Sequence, residues 1–186
     1  MAKGATKIKA SVAKRAKQIE VFLMDVDGTI TDGSVTLLSM PDGTAQEIKT
    51  FDAHDGQGLS LARTAGIRTG VITGRGSAAL RRRAKELNIE FVYEKQPHKI
   101  AAFEEILKKT GATAAMVAYL GDDLPDILIM RRVGLAVAVA DAAPEVKAVA
   151  HHVTRAIGGK GAAREVVELI LKSKGTWEQM IDKARA

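Results

Sequence analysis

The sequence predicts an α/β fold: a three-layer, Rossmann-like parallel sheet with a projecting β-hairpin and no cap domain. Two observations support this prediction. Apolar runs of strand length recur along the chain, and stretches with helical periodicity separate them. Strands that read as continuous apolar runs are typical of parallel sheets covered by helices on both faces. The chain has 186 residues, the length of one domain, and we expect residues 1–186 to form one.

The elements follow one another in β-α order. The predicted strands are Val21–Met24, Arg68–Thr73, Phe91–Tyr93, Val117–Leu120 and Leu135–Val139. The predicted helices are Gly58–Ala65, Ser77–Leu87, Lys99–Thr110, Asp123–Arg132, a short helix beginning at Pro144, Ala162–Lys172 and a last short helix that contains Trp177. Residues 1–18 are expected to be a basic segment that leads into the fold, and residues 173–186 a helical extension.

One stretch interrupts the alternation of strands and helices. Ser34–Met40 and Thr44–Phe51 are both strand-like, and the tripeptide Pro41-Asp42-Gly43 between them consists of turn-forming residues. We therefore expect a β-hairpin that projects from the fold just after the first strand.

The charge of the chain is local rather than general. The formal net charge is +6, but six of the 28 basic residues and one of the 22 acidic residues lie in Met1–Glu20. The rest of the chain is thus nearly neutral, at +1. Only 4% of the residues are aromatic, which leaves few side chains on which bases could stack. We expect no nucleic-acid partner and a solvated N-terminal segment.

The composition also indicates in which compartment the protein is expected. The chain has no cysteine, which excludes disulfides, zinc–thiolate sites and a cysteine nucleophile. The basic N-terminus lacks the apolar stretch of a secretory signal, and no segment approaches the roughly 18 apolar residues of a membrane span. The simplest expectation is a cytoplasmic protein without a membrane partner.

Four short segments carry polar side chains at strand ends or a helix start. They are DVDGT at Asp25–Thr29, ITGR at Ile72–Arg75, Lys99, and GDDLPD at Gly121–Asp126. Ligands of open parallel sheets bind outside the carboxyl ends of the strands. These segments therefore form a candidate active site.

The first segment offers two carboxylates on one side of an extended chain, Asp25 and Asp27, followed by Gly28, which permits a sharp turn. A carboxylate is ionised at neutral pH and can attack phosphorus without an activating base, which suits Asp25 as a nucleophile. Neighbouring carboxylates and partial burial can raise the pKa of a carboxyl group. Asp27 can then carry the proton of a general acid and afterwards act as general base.

A phosphate ester would be repelled by these carboxylates unless a divalent cation were present. Mg²⁺ prefers oxygen ligands, which Asp25, the Asp27 carbonyl and Asp122 can supply. Thr73 and Lys99 are the donors expected to hold phosphate oxygens. Two further carboxylates near the metal, Asp123 and Asp126, are expected to orient waters or Lys99.

In order and spacing, these four segments resemble the four motifs of the haloacid-dehalogenase-like phosphatases, and the resemblance covers about Val21 to Leu171. The separations between the segments are short, at most about 46 residues between Asp27 and Thr73. They leave room for a hairpin but not for an inserted lid domain, so we expect a site that is open in a monomer.

Further motifs resemble those of the 3-deoxy-D-manno-octulosonate 8-phosphate phosphatases within that superfamily. They are TDG at Thr31–Gly33, FDAHDGQGL at Phe51–Leu59, ITGR, AVADA at Ala138–Ala142 and GGKGAARE at Gly158–Glu165. This resemblance implies a homotetramer in which neighbouring subunits shape each pocket, and a phosphorylated sugar acid as substrate. Lys160 would then either reach a neighbour's active site or only precede the next helix.

The resemblance also implies a set of substrate-contacting residues. They are Asp27, a loop formed by Asp52, Ala53, His54, Asp55 and Gly56, and Gly74, Arg75, Arg83 and Lys99. The fork-shaped guanidinium of Arg75 suits a carboxylate, although a surface ion pair is the alternative. His54 either contacts sugar hydroxyls or is solvated.

These observations predict a Mg²⁺-dependent phosphomonoesterase that forms an aspartyl-phosphate and hydrolyses 3-deoxy-D-manno-octulosonate 8-phosphate. Two alternatives stay open. One is a phosphatase for a nonulosonate 9-phosphate or another phosphosugar. The other is a non-catalytic tetramerisation module, which the presence of the candidate catalytic residues argues against.

Overall fold

The computed structural model describes residues 8–185, and its centre is a six-stranded parallel sheet in the order β5-β4-β1-β6-β7-β8. The strands are β1 (Val21–Met24), β2 (Thr36–Ser39), β3 (Ala45–Ile48), β4 (Arg68–Ile72), β5 (Phe91–Tyr93), β6 (Val117–Gly121), β7 (Leu135–Ala138) and β8 (His152–Val153). The helices are α1 (Ala10–Ala16), α2 (Ala53–Thr64), α3 (Ala78–Leu87), α4 (Ile100–Thr110), α5 (Ile127–Met130), α6 (Pro144–Val149), α7 (Ala162–Lys174) and α8 (Trp177–Arg185).

The sheet is buried between two groups of helices. Every residue of β1, β6 and β7 is buried, as their continuous apolar sequences predict. Helix α7 packs against α1 and α2, while α5 packs against α4 and α6. The structure thus confirms the predicted α/β class and the helix-covered parallel sheet. That residues 1–186 form one domain stays a prediction.

The hairpin is present and forms a sheet of its own. Strands β2 and β3 pair in antiparallel register, with Thr36 opposite Ile48 and Ser39 opposite Ala45. In the turn, the carboxylate of Asp42 accepts hydrogen bonds from the N–H and the hydroxyl of Thr44, at 3.0 and 2.7 Å. All but one of the eight strand residues are exposed.

The predicted start of the helix at Gly58–Ala65 was wrong. Helix α2 begins at Ala53 rather than Gly58, because Asp52 caps it by accepting hydrogen bonds from the N–H groups of His54 and Asp55. The segment from Asp52 to Gly56, predicted as a loop, is therefore the cap and first turn of a helix.

Three smaller differences lie in the second half of the chain. The helix predicted over Asp123–Arg132 is a 3₁₀ turn at Leu124–Asp126 followed by the short α5. Strand β8 has only two residues, too few for a periodic signal, and was not predicted. Helix α7 extends to Lys174, so the predicted extension at 173–186 begins inside it.

The basic N-terminal segment lies partly outside the described residues, which start at residue 8; within them, Ala10–Ala16 form α1. Among the helices of residues 8–185, none is long and apolar enough to cross a membrane.

Candidate active site

The parallel register of the sheet brings the strand-end segments together. The last residue of β1, Met24, lies opposite Val71 of β4 and Leu120 of β6. The residues that follow these strands therefore meet at one edge of the sheet. The N–H of Asp25 extends this pairing by donating to the Leu120 carbonyl at 3.0 Å.

The turn after β1 is tight and depends on Gly28. The Val26 carbonyl accepts hydrogen bonds from the N–H groups of Thr29, Ile30 and Thr31 at 3.1 to 3.2 Å. Gly28 has a φ of +86°, a conformation that L side chains rarely adopt. A Cβ at this position would also overlap the carboxylate of Asp122. Glycine is thus required both by the backbone and by the neighbouring carboxylate.

Lys99 connects the nucleophile candidate to a second carboxylate. Its Nζ donates to Asp25 Oδ1 at 2.6 Å and to Asp126 Oδ1 at 2.7 Å, and all three side chains are buried. Burial alone would lower the pKa of Lys99, but the charges of Asp25 and Asp126 outweigh it, so that the pKa of Lys99 is raised. The ammonium group therefore stays charged beside Asp25.

Asp126 has all its hydrogen-bonding capacity directed at protein groups. Its Oδ1 accepts from Lys99 and from the hydroxyl of Tyr119 at 2.7 Å, and its Oδ2 accepts from the N–H groups of Asp122 and Asp123 at 3.0 and 3.3 Å. Burial and the charge of Asp126 raise the pKa of Tyr119 well above its usual value, so the hydroxyl remains a donor. Asp126 thus fixes Lys99 and the backbone of Asp122.

Three carboxylates form a compact cluster. Oxygens of Asp25, Asp122 and Asp126 all lie within 4.8 Å of one another. Burial, followed by the charge of Asp126, raises the pKa of Asp25 to about 6. Burial, followed by the charges of Asp25 and Asp126, raises the pKa of Asp122 to about 8. Buried carboxylates this close together suit a divalent cation with oxygen ligands, and Asp25 and Asp122, unlike Asp126, keep acceptor capacity for Mg²⁺.

A cavity of about 260 Å³ opens over this cluster. It is lined by Asp25, Asp27, Thr73, Gly74, Arg75, Gln96, Pro97, Lys99, Asp122, Asp123, Pro125 and Asp126. The side chain of Asp123 also accepts from the N–H of Leu124 at 2.8 Å. The hydroxyl of Thr73, which accepts from the N–H of Arg75 at 3.2 Å, is buried at the end of β4. All four strand-end segments therefore contribute to one cavity.

Two residues that reach this site from the hairpin were not predicted from the sequence. Lys49, whose side chain is 1% exposed, forms an ion pair with Asp27, and Glu47 forms one with Arg75. Arg75 Nε also lies 3.9 Å from Asp27 Oδ2. Glu47 and Lys49 belong to no strand-end segment, and the one available signal was their spacing of two, which places both on one face of a strand.

Six residues predicted to contact substrate lie outside the wall of this cavity: Asp52, Ala53, His54, Asp55, Gly56 and Arg83. Asp52 caps α2, and the side chain of His54 is 87% exposed. Asp55 is buried and accepts hydrogen bonds from the start of α7. Gly56 packs against Arg83. Their contact with substrate stays a prediction that concerns the assembled protein.

Comparison with known proteins agrees with this fold. A family model described as haloacid dehalogenase-like hydrolase matches residues 89–165. The chain is 38% identical to the 3-deoxy-D-manno-octulosonate 8-phosphate phosphatase KdsC of Escherichia coli K12, over 92% of this chain and 89% of that one.

Solved structures show the same similarity. The phosphatase of that name from Moraxella catarrhalis, in complex with a magnesium ion, a phosphate ion and a KDO molecule, superposes with a TM-score of 0.89 at 38% identity, covering 95% of this chain and 99% of that chain. The Yersinia pestis phosphatase gives 0.86 at 41% identity, covering 91% and 89%.

Fold and site together define a haloacid dehalogenase-like hydrolase. Within that class, the chain belongs to the KdsC family of phosphatases and is a phosphoric monoester hydrolase.

Proposed function

We propose that this chain hydrolyses 3-deoxy-D-manno-octulosonate 8-phosphate to the sugar acid and phosphate, with Mg²⁺ as cofactor and an aspartyl-phosphate on Asp25. The observation that carries the proposal is the buried cluster of Asp25, Lys99, Asp126 and Asp122 beneath a cavity at the sheet edge. The names of the KdsC relatives support the substrate, and the Moraxella complex supports the metal.

The proposed reaction has two steps. In the first, a carboxylate oxygen of Asp25 attacks phosphorus, the bond between phosphorus and the sugar oxygen breaks, and Asp27 gives a proton to that oxygen. In the second, a water attacks the phosphorus of the aspartyl-phosphate while Asp27 takes its proton. Phosphate leaves and Asp25 is regenerated. Asp27 suits both proton transfers because it lies two residues beyond Asp25 and lines the same cavity.

The remaining residues are proposed to hold the metal, bind the substrate and keep the catalytic side chains in place. Asp25, Asp122 and the Asp27 carbonyl would hold Mg²⁺, which supplies positive charge beside the phosphoryl group. Lys99 and Thr73 line the cavity, which supports their proposed role as donors to phosphate oxygens. Asp126 keeps Lys99 beside Asp25, since it accepts a hydrogen bond from the same ammonium group. The guanidinium of Arg75 suits the carboxylate of the sugar acid.

We also propose that the chain acts as a homotetramer. The hairpin supports this proposal, because Val35, Leu37, Leu38 and Ile48 are each about half exposed. An isolated two-stranded hairpin is only marginally stable in water, and exposed apolar patches mark interfaces. Neighbouring subunits would cover this surface and complete the pocket.

The test is phosphate release from a panel of phosphorylated sugar acids, with Mg²⁺ or with EDTA. We expect the highest kcat/KM for the octulosonate 8-phosphate, little activity in EDTA, and a loss of at least about 10³-fold in Asp25→Asn. A higher kcat/KM for a nonulosonate 9-phosphate would favour that alternative. No turnover of any substrate would favour the non-catalytic module.

A further inference from the structure

The glycine segment, defined as Gly158–Gly161, packs directly on the turn that carries the nucleophile. The N–H of Gly159 donates to the Thr29 carbonyl at 2.9 Å. A Cβ at Gly158 would overlap the carbonyl of Gly28, so the two backbones are in contact. The segment thus lies behind the Asp25–Thr29 turn, and it belongs to none of the four strand-end segments.

One end of the glycine segment is held by Asp55 of α2. Its Oδ2 accepts from the N–H of Gly161 at 3.2 Å, and its Oδ1 accepts from the N–H of Arg164 at 2.8 Å. Gly161 is the cap position of α7 and has no side chain with which to cap it. Asp55, only 3% exposed, supplies from a different helix the acceptor that the first turn of α7 needs.

The other end is held by Asp141, in the loop after β7. Its Oδ1 accepts from the N–H of Gly158 at 2.9 Å. Two residues further along the same loop, the N–H of Ala143 donates to the Asp122 carbonyl at 2.8 Å. The loop therefore contacts both the glycine segment and the backbone of a proposed metal ligand.

Thr29 joins these contacts to the carboxylate cluster. Its carbonyl accepts from Gly159, and its hydroxyl donates to Asp122 Oδ1 at 2.9 Å. Hydrogen bonds and short stretches of backbone thus connect Asp55 and Asp141, through the glycine segment, to Thr29 and Asp122. Gly28 lies in this path, packed against both Asp122 and Gly158.

We propose that Asp55 and Asp141 are positioning residues: they hold the glycine segment against the Asp25–Thr29 turn and so fix the backbone that carries the nucleophile and the Asp27 carbonyl. The inference rests on the proposed function. A displacement of about 1 Å in such a site can lower the rate about 10²-fold. In this role Asp55 acts through the backbone N–H groups of Gly161 and Arg164, and its contact with substrate in the assembled protein stays a separate prediction.

The test compares Asp55→Ala, Asp55→Asn, Asp141→Ala and Asp141→Asn by kcat and KM on the octulosonate 8-phosphate, well below each variant's unfolding temperature. Both alanine variants should lose about 10²-fold in kcat with little change in KM. Asparagine at 141 should restore most of the activity, because one oxygen suffices for the Gly158 N–H. Asparagine at 55 should restore only part, because Asp55 uses both oxygens.

Hydrogen–deuterium exchange of the full chain gives a second measurement that needs no substrate. The N–H groups of Thr29, Ile30 and Thr31 bond to the Val26 carbonyl, so loosening of the turn should accelerate their exchange. We expect exchange about threefold faster or more in both alanine variants. Val167→Ala, a buried change in α7, is the stability control and should leave this exchange unchanged.

Three outcomes would overturn the inference: a rise in KM alone for Asp55→Ala, an equal kcat loss in Val167→Ala, or unchanged exchange in the turn. If the wild-type chain releases no phosphate, the proposed function fails instead, and the exchange experiment still decides whether Asp55 and Asp141 fix the turn.

Discussion

Asp122 and Asp126 have the same side chain and lie four residues apart, yet their surroundings differ. Asp126 accepts four hydrogen bonds from protein donors, including those of Lys99 and Tyr119. Within residues 8–185, Asp122 accepts one, from Thr29. A carboxylate with unused acceptor capacity suits a metal, whereas one saturated by donors fixes its neighbours. The geometry therefore favours Asp122 as the ligand.

Asp126→Asn tests this division of roles. The amide keeps one acceptor oxygen and turns an NH₂ group towards donors, so buried donors lose their partner. We expect the free energy of unfolding to fall by about 1–3 kcal/mol, and kcat to fall about 10–100-fold. Chemical denaturation and steady-state kinetics measure these effects. Asp42→Asn in the hairpin turn is the matched control; a loss of the same size there would refute the assigned role.

Lys49 is expected to hold Asp27 in position. Its Nζ pairs with Asp27 and lies 3.6 Å from Glu47, so its removal leaves Arg75 to pair with both carboxylates. Lys49→Met should lower kcat about 10²-fold through misplacement of Asp27, and Lys49→Arg should recover part of it. Lys85→Met on α3, an exposed change, is the control. Unaltered kinetics in Lys49→Met would remove Lys49 from the site.

Single residues were predictable where the fold supplies their position. Asp25, Thr73 and Asp122 follow apolar strands, so strand order alone brings them together. Lys49 and Glu47 were not predictable in the same way, because the path of a projecting hairpin depends on tertiary contacts. For Asp55, the sequence gives no sign that it accepts from the backbone of Gly161, more than a hundred residues away.

Among the elements of the fold, the hairpin leaves several large apolar side chains exposed. Leu38 and Ile48 lie on one of its faces and are 50% and 48% exposed, while Glu47 lies on the opposite face towards the site. Leu37, which is 61% exposed, is paired with Glu47 and shares its face, so the hairpin exposes apolar side chains on both faces and directs charged residues from one of them to the site. This arrangement links the proposed assembly to the proposed pocket.

Leu38→Glu should disrupt that assembly. A charge on the apolar face opposes its burial against another subunit, so we expect a shift from tetramer to smaller species in size-exclusion chromatography with light scattering. Val92→Glu, on the partly exposed strand β5, serves as control. A wild-type chain that is already monomeric, or a variant that stays tetrameric, would contradict the proposed role of the hairpin.

Most elements were predictable because apolar runs and helical periodicity are local signals; β1 and β5 match the prediction residue for residue. The start of α2 and the 3₁₀ turn that precedes α5 were not predictable from these signals. Asp52 and Asp126 act there through side-chain hydrogen bonds to backbone N–H groups, which periodicity does not detect. Strand β8 forms by parallel pairing with the edge of β7, which is a tertiary contact.

At the scale of the whole molecule, the carboxylate cluster couples stability to pH and to metal. The raised pKa values of Asp25 and Asp122 mean that the folded state binds protons more tightly than the unfolded state. In the metal-free chain, the contribution of these two groups to stability should be greatest below about pH 4. It should be lost as the pH rises through about 6 for Asp25 and about 8 for Asp122.

Mg²⁺ should reverse this loss, because it binds the ionised carboxylates. We expect the rise in unfolding temperature on replacing EDTA with Mg²⁺ to grow between about pH 5 and pH 8. Differential scanning fluorimetry measures it, with Asp122→Asn as a variant that should respond far less. An equal rise at every pH, or an undiminished rise in Asp122→Asn, would contradict the metal site.

Asp25 is proposed to take the phosphoryl group from the substrate. The most direct measurement is acid quenching of the enzyme during turnover of 3-deoxy-D-manno-octulosonate 8-phosphate with Mg²⁺, followed by mass spectrometry of its peptides. We expect a phosphoryl group on the peptide that contains Asp25, and neither this adduct nor phosphate release in Asp25→Asn. Phosphate release by Asp25→Asn at the wild-type rate would contradict this role of Asp25.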